Sequence, residues 1–146
     1  MATETAAPEI PVERIEITKI REAFPNAFIG AEEFRGDTRI MVKPEAIVDI
    51  CRLLRDDPDL QYHFFSECLG VDYLDYREDY RFEVVYNLYS LQYERNGVRY
   101  GHSRRIFIKV PVPEENPTVP SVTGIYAGAN FPEREIYDMF GVKFSG

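Results

Sequence analysis

Tryptophan is absent from this 146-residue chain, histidine and cysteine occur twice each, and acids outnumber bases by 25 to 17. Each shortage removes a class of function. A net charge of −8, with Arg104-Arg105 the one adjacent basic pair, leaves no cationic stripe to displace the counterions of nucleic acid or to lie on anionic lipid. Cys51 and Cys68 are far apart and show no Cys-x-x-Cys spacing, whereas zinc or an iron–sulfur cluster needs about four ligands, normally in close pairs. Both thiols fall in apolar surroundings, which predicts buried free cysteines of a reducing compartment. No cluster, metal or other cofactor is therefore expected on this chain. Gly-x-Gly-x-x-Gly, Gly-x-x-x-x-Gly-Lys-Ser/Thr and Gly-x-Ser-x-Gly are all missing, so nucleotide binding and acyl transfer lack their equipment. No run approaches the roughly 18 apolar residues of a membrane span. Met1 to Pro8 has neither the basic nor the apolar region of a secretion signal. A soluble intracellular chain is expected, meeting a membrane only through partners.

What is present suits one domain. A chain of this length buries enough surface, about 68–70%, to fold without a disulfide or metal. Aromatics make up 14% of the chain, all Phe and Tyr, a composition used in sheets and at partner surfaces. Residues 1–10 read as a disordered tail. A helix is predicted over 11–24, with Ile15, Ile20, Ala23 and Phe24 on its apolar face. Two strands, 26–34 and 38–43, follow, joined by a turn at Arg35-Gly36-Asp37. Pro44 opens a second helix in which Ile47, Ile50, Cys51 and Leu54 recur at i, i+3, i+4, i+7, and Asp56-Asp57-Pro58 ends it. Strands are expected over 62–74, 80–93 and from Ile106 to Val112, with Asn96-Gly97 turning between the last two. The second face of the 80–93 strand is only partly polar, which predicts some cover on both sides. Pro111, Pro113, Pro117 and Pro120 mark an extended connector outside the sheet interior, after which Ser121 caps a short helix through Tyr126. The fold expected is α+β: helix, hairpin, helix and three strands, the helices packed on one mixed sheet in two layers. On this reading 11–113 form the α+β core, and 114–146 form a connector and short C-terminal helix of the same domain.

Few residues offer chemistry. His63 beside Phe64-Phe65 is expected to be a core or interface histidine, and His102 has no nucleophile nearby in sequence. Asp72 to Asp79 is an acidic, tyrosine-bearing run, read as a solvated loop; a metal there would lack the ligand spacing and turn glycine of a calcium site. The densest stretch is Asn130-Phe-Pro-Glu-Arg-Glu-Ile-Tyr-Asp-Met-Phe-Gly141. Glu133 and Glu135 look like an acid–base pair, but two helical positions are about 200° apart, so they cannot share a proton. Helix logic accounts for much of the run. Pro132 suits the first turn, both glutamates complement the N-terminal dipole, and Gly141 suits the left-handed end. Ile136, Met139 and Phe140 form an inward face, and Arg134 can pair with Asp138. The ions and the Tyr137 ring left over predict an interface.

The same run carries a resemblance. With Pro120-Ser-Val-Thr-Gly-Ile-Tyr126 before it and Val-Lys-Phe144 after it, the stretch Glu133, Arg134, Glu135, Tyr137, Asp138, Met139, Phe140, Gly141, Val142 resembles the 30 kDa subunit family of respiratory NADH–quinone oxidoreductase (complex I). Leu69-Gly-Val-Asp-Tyr73 and Arg81 to Ser90 look like that family's central strands. The resemblance implies a non-catalytic subunit of the peripheral arm, without flavin, cluster or quinone chemistry of its own. It implies packing against the large quinone-site subunit and neighbouring iron–sulfur subunits, on the cytoplasmic side of a bacterial membrane. Glu133, Arg134, Glu135, Tyr137, Asp138, Phe140 and Gly141 are then the expected interface. Related membrane-bound hydrogenases and other quinone reductases use similar subunits. A stand-alone adaptor, or an enzyme built on Glu135, Asp138 or His63, are the competing readings. The family's motif is normally followed by a His-Pro and Arg-rich tail along the partner; here the sequence ends at Gly146, a departure that predicts a C-terminally shortened chain.

Overall fold

The structure is a computed structural model that describes residues 14–91, 93–95, 98–100 and 104–146. The expected tail, the first turn at Pro11, the Asn96-Gly97 turn and His102 lie outside the described residues. Helix α1 is Ile15–Ala23, and strands β1, Phe28–Phe34, and β2, Asp37–Val42, form the hairpin. Arg35 and Gly36 both take positive φ, 53° and 85°, the two left-handed positions of a tight hairpin turn. A 3₁₀ turn at Pro44–Ala46 leads into α2, Ile47–Asp56. Strands β3, Phe64–Asp72, β4, Phe82–Ser90, and β7, Arg104–Val112, complete the sheet, while the short strands β5, Tyr93–Arg95, and β6, Val98–Tyr100, which fall between β4 and β7 in sequence, form a separate pair. The sheet is mixed and five-stranded, in the order β1-β2-β7-β4-β3, with β2 and β7 parallel and the other pairs antiparallel.

Alternation along the strands divides the sheet into two faces. Ile40, Val84, Tyr86, Leu88, Ile106, Ile108 and Val110 point to the face that the helices cover and are fully or almost fully buried. In α2 the four residues expected from the periodicity, Ile47, Ile50, Cys51 and Leu54, are all sealed into this core. In α1 the buried residues are Glu16, Ile17 and Ile20, while Ile15 is exposed. The apolar face is displaced because a carboxylate occupies part of the inward stripe.

The region after β7 departs from a plain connector. Pro111 is inside β7, paired with Glu83. It is tolerated because β2 pairs with β7 only as far as Lys109, so the prolyl nitrogen meets no neighbouring strand. Strand β8, Thr118–Pro120, pairs in parallel with β9, Lys143–Ser145. A 3₁₀ turn, Ala127–Ala129, then precedes α3, Asn130–Phe140. No helix starts at Ser121, whose hydroxyl is engaged by Glu133 instead. Val119, Val122, Ile136 and Val142 join the same buried cluster as the sheet and α2, and the Tyr126 hydroxyl donates to the Tyr62 carbonyl at 2.5 Å.

The face opposite the helices carries no helix or strand among the described residues. Its cover is lateral: the loop after β3 lays Tyr73 and Tyr80 over the buried Glu83.

A buried ionic knot fixes α1 to the sheet. Glu16 accepts from Arg14 Nη2 at 2.7 Å and from the Tyr62 hydroxyl, while Arg14 Nη1 donates to Thr38 Oγ1 at 2.7 Å. Burial pushes the Glu16 carboxyl pKa up, but the hydrogen bonds from Arg14 and Tyr62 outweigh it and hold the value below the ordinary 4.5. A carboxylate whose pKa is depressed by folding adds stability above its unfolded pKa and loses it as pH falls through the folded one. Glu16→Gln is expected to lower unfolding free energy at pH 7 by about 1–3 kcal/mol, the cost of weakening hydrogen bonds to a buried charged group whose Arg14 partner is only part-buried. The deficit should shrink below pH 4.5, as denaturant titrations at several pH values would report; a pH-independent deficit would contradict the assignment.

Candidate docking surface at the C-terminal helix

Helix α3 begins without a side-chain cap, its Ala129 N-cap continuing the preceding 3₁₀ turn. Pro132 is harmless in the first turn, where its missing N–H would have no intrahelical partner. Gly141 ends the helix at φ 78°, with its N–H on the Tyr137 carbonyl at 2.8 Å, a conformation glycine adopts without side-chain strain.

The inward stripe runs through Glu133, Ile136 and Phe140. Glu133 is only 5% exposed. Its Oε1 accepts from the Ser121 hydroxyl at 2.7 Å and its Oε2 from the Val122 N–H at 2.9 Å. Burial pushes its pKa above the usual carboxylate value, and those two hydrogen bonds offset only part of the rise. Ile136 and Phe140 lie on β3 at Gly70, where an added Cβ would fall 2.7 and 2.8 Å from atoms of the Phe140 ring and 3.2 Å from Ile136 Cγ2. The Phe140 ring also meets Phe82, centroid to centroid 6.3 Å. The missing side chain of Gly70 thus leaves room for the Phe140 ring against the sheet.

Glu133 and Met139 need correction, as do the Arg134–Asp138 pair and a core place for His63. Glu133 belongs to the chain's own interior and not to an outer interface, because the connector supplies two donors to its carboxylate. Phe140 is half-buried against β3, on the apolar face expected for it, and Gly141 is exposed and ends the helix as expected. Met139, expected inside, is 73% exposed; the stripe centres on 133, 136 and 140, which turns position 139 outward. Arg134 and Asp138 are both exposed, and no ion pair joins them among the described residues. His63 is exposed, so the core alternative for it does not hold; it sits just before β3 at the sheet edge.

The outward face collects Arg134, Glu135, Tyr137 and Asp138 with Met139 and Phe131, the last 67% exposed. The geometry separates Glu135 from Glu133 as helical rotation requires. Beside this face a groove of about 520 Å³ runs between α3 and β9, lined by Asn130, Arg134, Tyr137, Lys143 and Phe144, with Glu133 and Ser121 at its wall. Phe131, Met139 and Lys143 were not among the predicted interface positions. Phe131 had a legible signal, an aromatic at the second helical position that the 133–136–140 stripe cannot reach.

The thiols do not join this surface. Cys51 and Cys68 are buried and free. Burial, then the nearby Glu133 charge, pushes Cys51 up to about 12 and Cys68 well above its ordinary value. Around the 72–79 loop two acids are engaged by arginines, Asp72 with Arg81 and Asp79 with Arg77, all at 3.1 Å.

Residues 40–146 match the family described as respiratory-chain NADH dehydrogenase, 30 Kd subunit. The chain belongs to that family. Among similar proteins, the NADH-quinone oxidoreductase C subunit of Roseiflexus castenholzii is 49% identical over 130 residues, covering 89% of this chain and 68% of that one. Its counterpart of the same name in Geobacter sulfurreducens is 36% identical over 129 residues, covering 88% and 72%. The trypsin-resistant fragment of Nqo5 superposes with a TM-score of 0.72 at 32% identity, covering 90% of this chain and 97% of the fragment. A chain of an archaeal respiratory membrane complex, the membrane-bound sulfane sulfur reductase, shares the fold at TM-score 0.66 and 23% identity, covering 89% and 68%. Membership of the 30 kDa family makes this protein a subunit of an NADH–quinone oxidoreductase.

The Gly70 contact yields a direct test of how α3 is seated in this family member. Gly70→Ala is expected to cost about 1–3 kcal/mol by overpacking. Phe140→Leu in the same chain should recover part of that loss, giving a coupling of at least about 0.5 kcal/mol in a double-mutant cycle. Additive effects in urea unfolding would contradict the contact.

Proposed function

We propose that this chain is a non-catalytic subunit of the peripheral arm of a proton-translocating NADH–quinone oxidoreductase, which supports assembly and the quinone-site subunit. The observation that carries the reading is the division of α3 into an inner face locked by Glu133, Ile136 and Phe140 and an outer face that exposes Phe131, Tyr137 and Met139 among Arg134, Glu135 and Asp138. Apolar and aromatic groups ringed by charge have the anatomy of a protein interface. The partners on this reading are the large quinone-site subunit and neighbouring iron–sulfur subunits, at the cytoplasmic side of the bacterial membrane. No helix among the described residues is long and apolar enough to cross a membrane, which agrees with a peripheral place. The strongly engaged acids also favour an architectural role. Glu16 is held by Arg14 and Tyr62, and Glu83 by Tyr73, Tyr80 and Lys109; each is spent on its own fold.

The test replaces Tyr137 and Met139 together by serine in the full-length protein. Exposed substitutions of this kind should move unfolding free energy by no more than about 0.5 kcal/mol. Loss of an anchoring aromatic should weaken incorporation into the oxidoreductase by roughly 30-fold or more, equivalent to at least about 2 kcal/mol. NADH:quinone turnover of membranes should fall in proportion to the chain incorporated. Normal incorporation of the variant, or turnover by the isolated chain, would contradict the proposal.

A further inference from the structure

The groove between α3 and β9 gathers cations that the fold leaves unused. In a protein of net charge −8, several bases are spent on nearby acids: Lys19 on Asp57 and Asp59, Arg81 on Asp72 and Glu114, Arg105 on Asp37. Arg134 and Lys143 are not. Both are exposed, both line the groove, and neither makes an ion pair or side-chain hydrogen bond among the described residues. The Tyr137 hydroxyl and the Asn130 amide share the lining and are likewise unengaged.

Two elements bring these donors together. Asn130, Arg134 and Tyr137 stand at i, i+4 and i+7, so one stripe of α3 carries all three. Lys143 comes from the other wall, on a strand whose register is fixed by its pairing with Thr118. The acids of the helix are placed differently. At about 100° per residue, Glu135 lies about 130° and Asp138 about 70° round the helix from the centre of that stripe. Asp138, one turn from Arg134, leaves it unpaired. Glu133 supplies the carboxylate of the lining, but it is buried and accepts from Ser121 and Val122. Its charge keeps an incoming anion off the groove floor and at the outer lip, where Arg134 and Lys143 are exposed.

The donors suit a carboxylate. A guanidinium presents a planar fork that matches the two oxygens of a carboxylate, and an ammonium adds a point charge. At about 520 Å³ the groove admits a side chain together with its neighbours. It is continuous with the outer face of α3 through Arg134 and Tyr137, which belong to both. Three acids on one short helix repel a ligand that carries many negative charges, such as an anionic membrane or a polyphosphate. A single carboxylate set among uncharged neighbours meets the two free cations without that penalty.

From these features we infer that the groove between α3 and β9 takes one aspartate or glutamate side chain of a partner subunit, its carboxylate bound by Arg134 and Lys143. Asn130 and Tyr137 offer further donors to the backbone that carries it. The inference rests on the subunit reading above and deepens it, by adding an ionic anchor beside the aromatic one and naming the chemistry of the residue that fills it.

The test treats the complete oxidoreductase, purified with the full-length chain, with a water-soluble carbodiimide, which joins a lysine amine to a carboxylate only where the two are in contact. Sequencing of the joined peptides is expected to find Lys143 linked by an isopeptide bond to an aspartate or glutamate of another subunit. Lys143→Arg should remove that product. Replacing Arg134 and Lys143 together by methionine keeps their length and removes their charge. Incorporation of this double variant should weaken about tenfold or more at low salt, and the gap should narrow as salt screens the pair in the unaltered protein. Both side chains are exposed, so the urea midpoint of the isolated variant should not move. Lys143 joined only to acids of this same chain, Lys143 left unjoined, or normal incorporation of the double variant would each overturn the inference while leaving the subunit reading standing. Absence of the chain from the purified oxidoreductase would overturn both.

Discussion

The Glu133 carboxylate, held by the Ser121 hydroxyl and the Val122 N–H at 2.7 and 2.9 Å, determines which side of the last helix meets solvent. Charge-assisted hydrogen bonds of this kind contribute about 1.5–3 kcal/mol each. They join a helix to a proline-rich connector that otherwise offers few regular contacts. Once position 133 points inward, helical geometry places 136 and 140 inward with it, leaves Tyr137 half exposed at the rim of that stripe, and sends 134, 135, 138 and 139 out. The short parallel pair of β8 and β9 brackets the same connector, with the Ser121 N–H on the Ser145 carbonyl at 2.7 Å. Connector, helix and terminal strand thus form one clasp against β3. The Gly70 backbone lets that clasp close onto the sheet.

The same kind of burial recurs across the fold. Acids of this chain that leave solvent are each committed to partners within the fold. Glu16 takes Arg14 and Tyr62, Glu83 takes two tyrosines and Lys109, and Glu133 takes the connector. Buried groups engaged by fixed donors lose the freedom to exchange protons with a substrate, and they gain conformational specificity. The thiols behave alike: sealed in the core with raised pKa values, Cys51 and Cys68 hold little thiolate at neutral pH.

Much of this was legible before any coordinates. The α2 residues Ile47, Ile50, Cys51 and Leu54 announce a helix by period alone, and the alternation of Phe82, Val84, Tyr86 and Leu88 gives an interior strand and its inward side. The separation of Glu133 from Glu135 follows from helical rotation. Two kinds of feature were not legible. One is any pairing that joins distant residues, such as Glu133 with Ser121 or β8 with β9, because neither leaves a periodic trace. That is why Met139 was placed inside, Glu133 outside and Ser121 at a helix start. The other is local edge status. Pro111 looked incompatible with a sheet, yet β2 stops at Lys109 and frees the prolyl nitrogen. Which face of the sheet would stay open was also hidden, since Val85, Tyr89 and Phe107 look as apolar as core residues.

Helix α3 turns one face into this domain and, on the function proposed above, the other toward a neighbouring subunit. A density map of the intact oxidoreductase, resolved to side chains around this chain, measures that most directly. Tyr137 and Met139 are expected to be enclosed by another subunit, with Glu133 still bound to Ser121 and Val122. Tyr137 and Met139 standing in solvent within the assembled complex would contradict it.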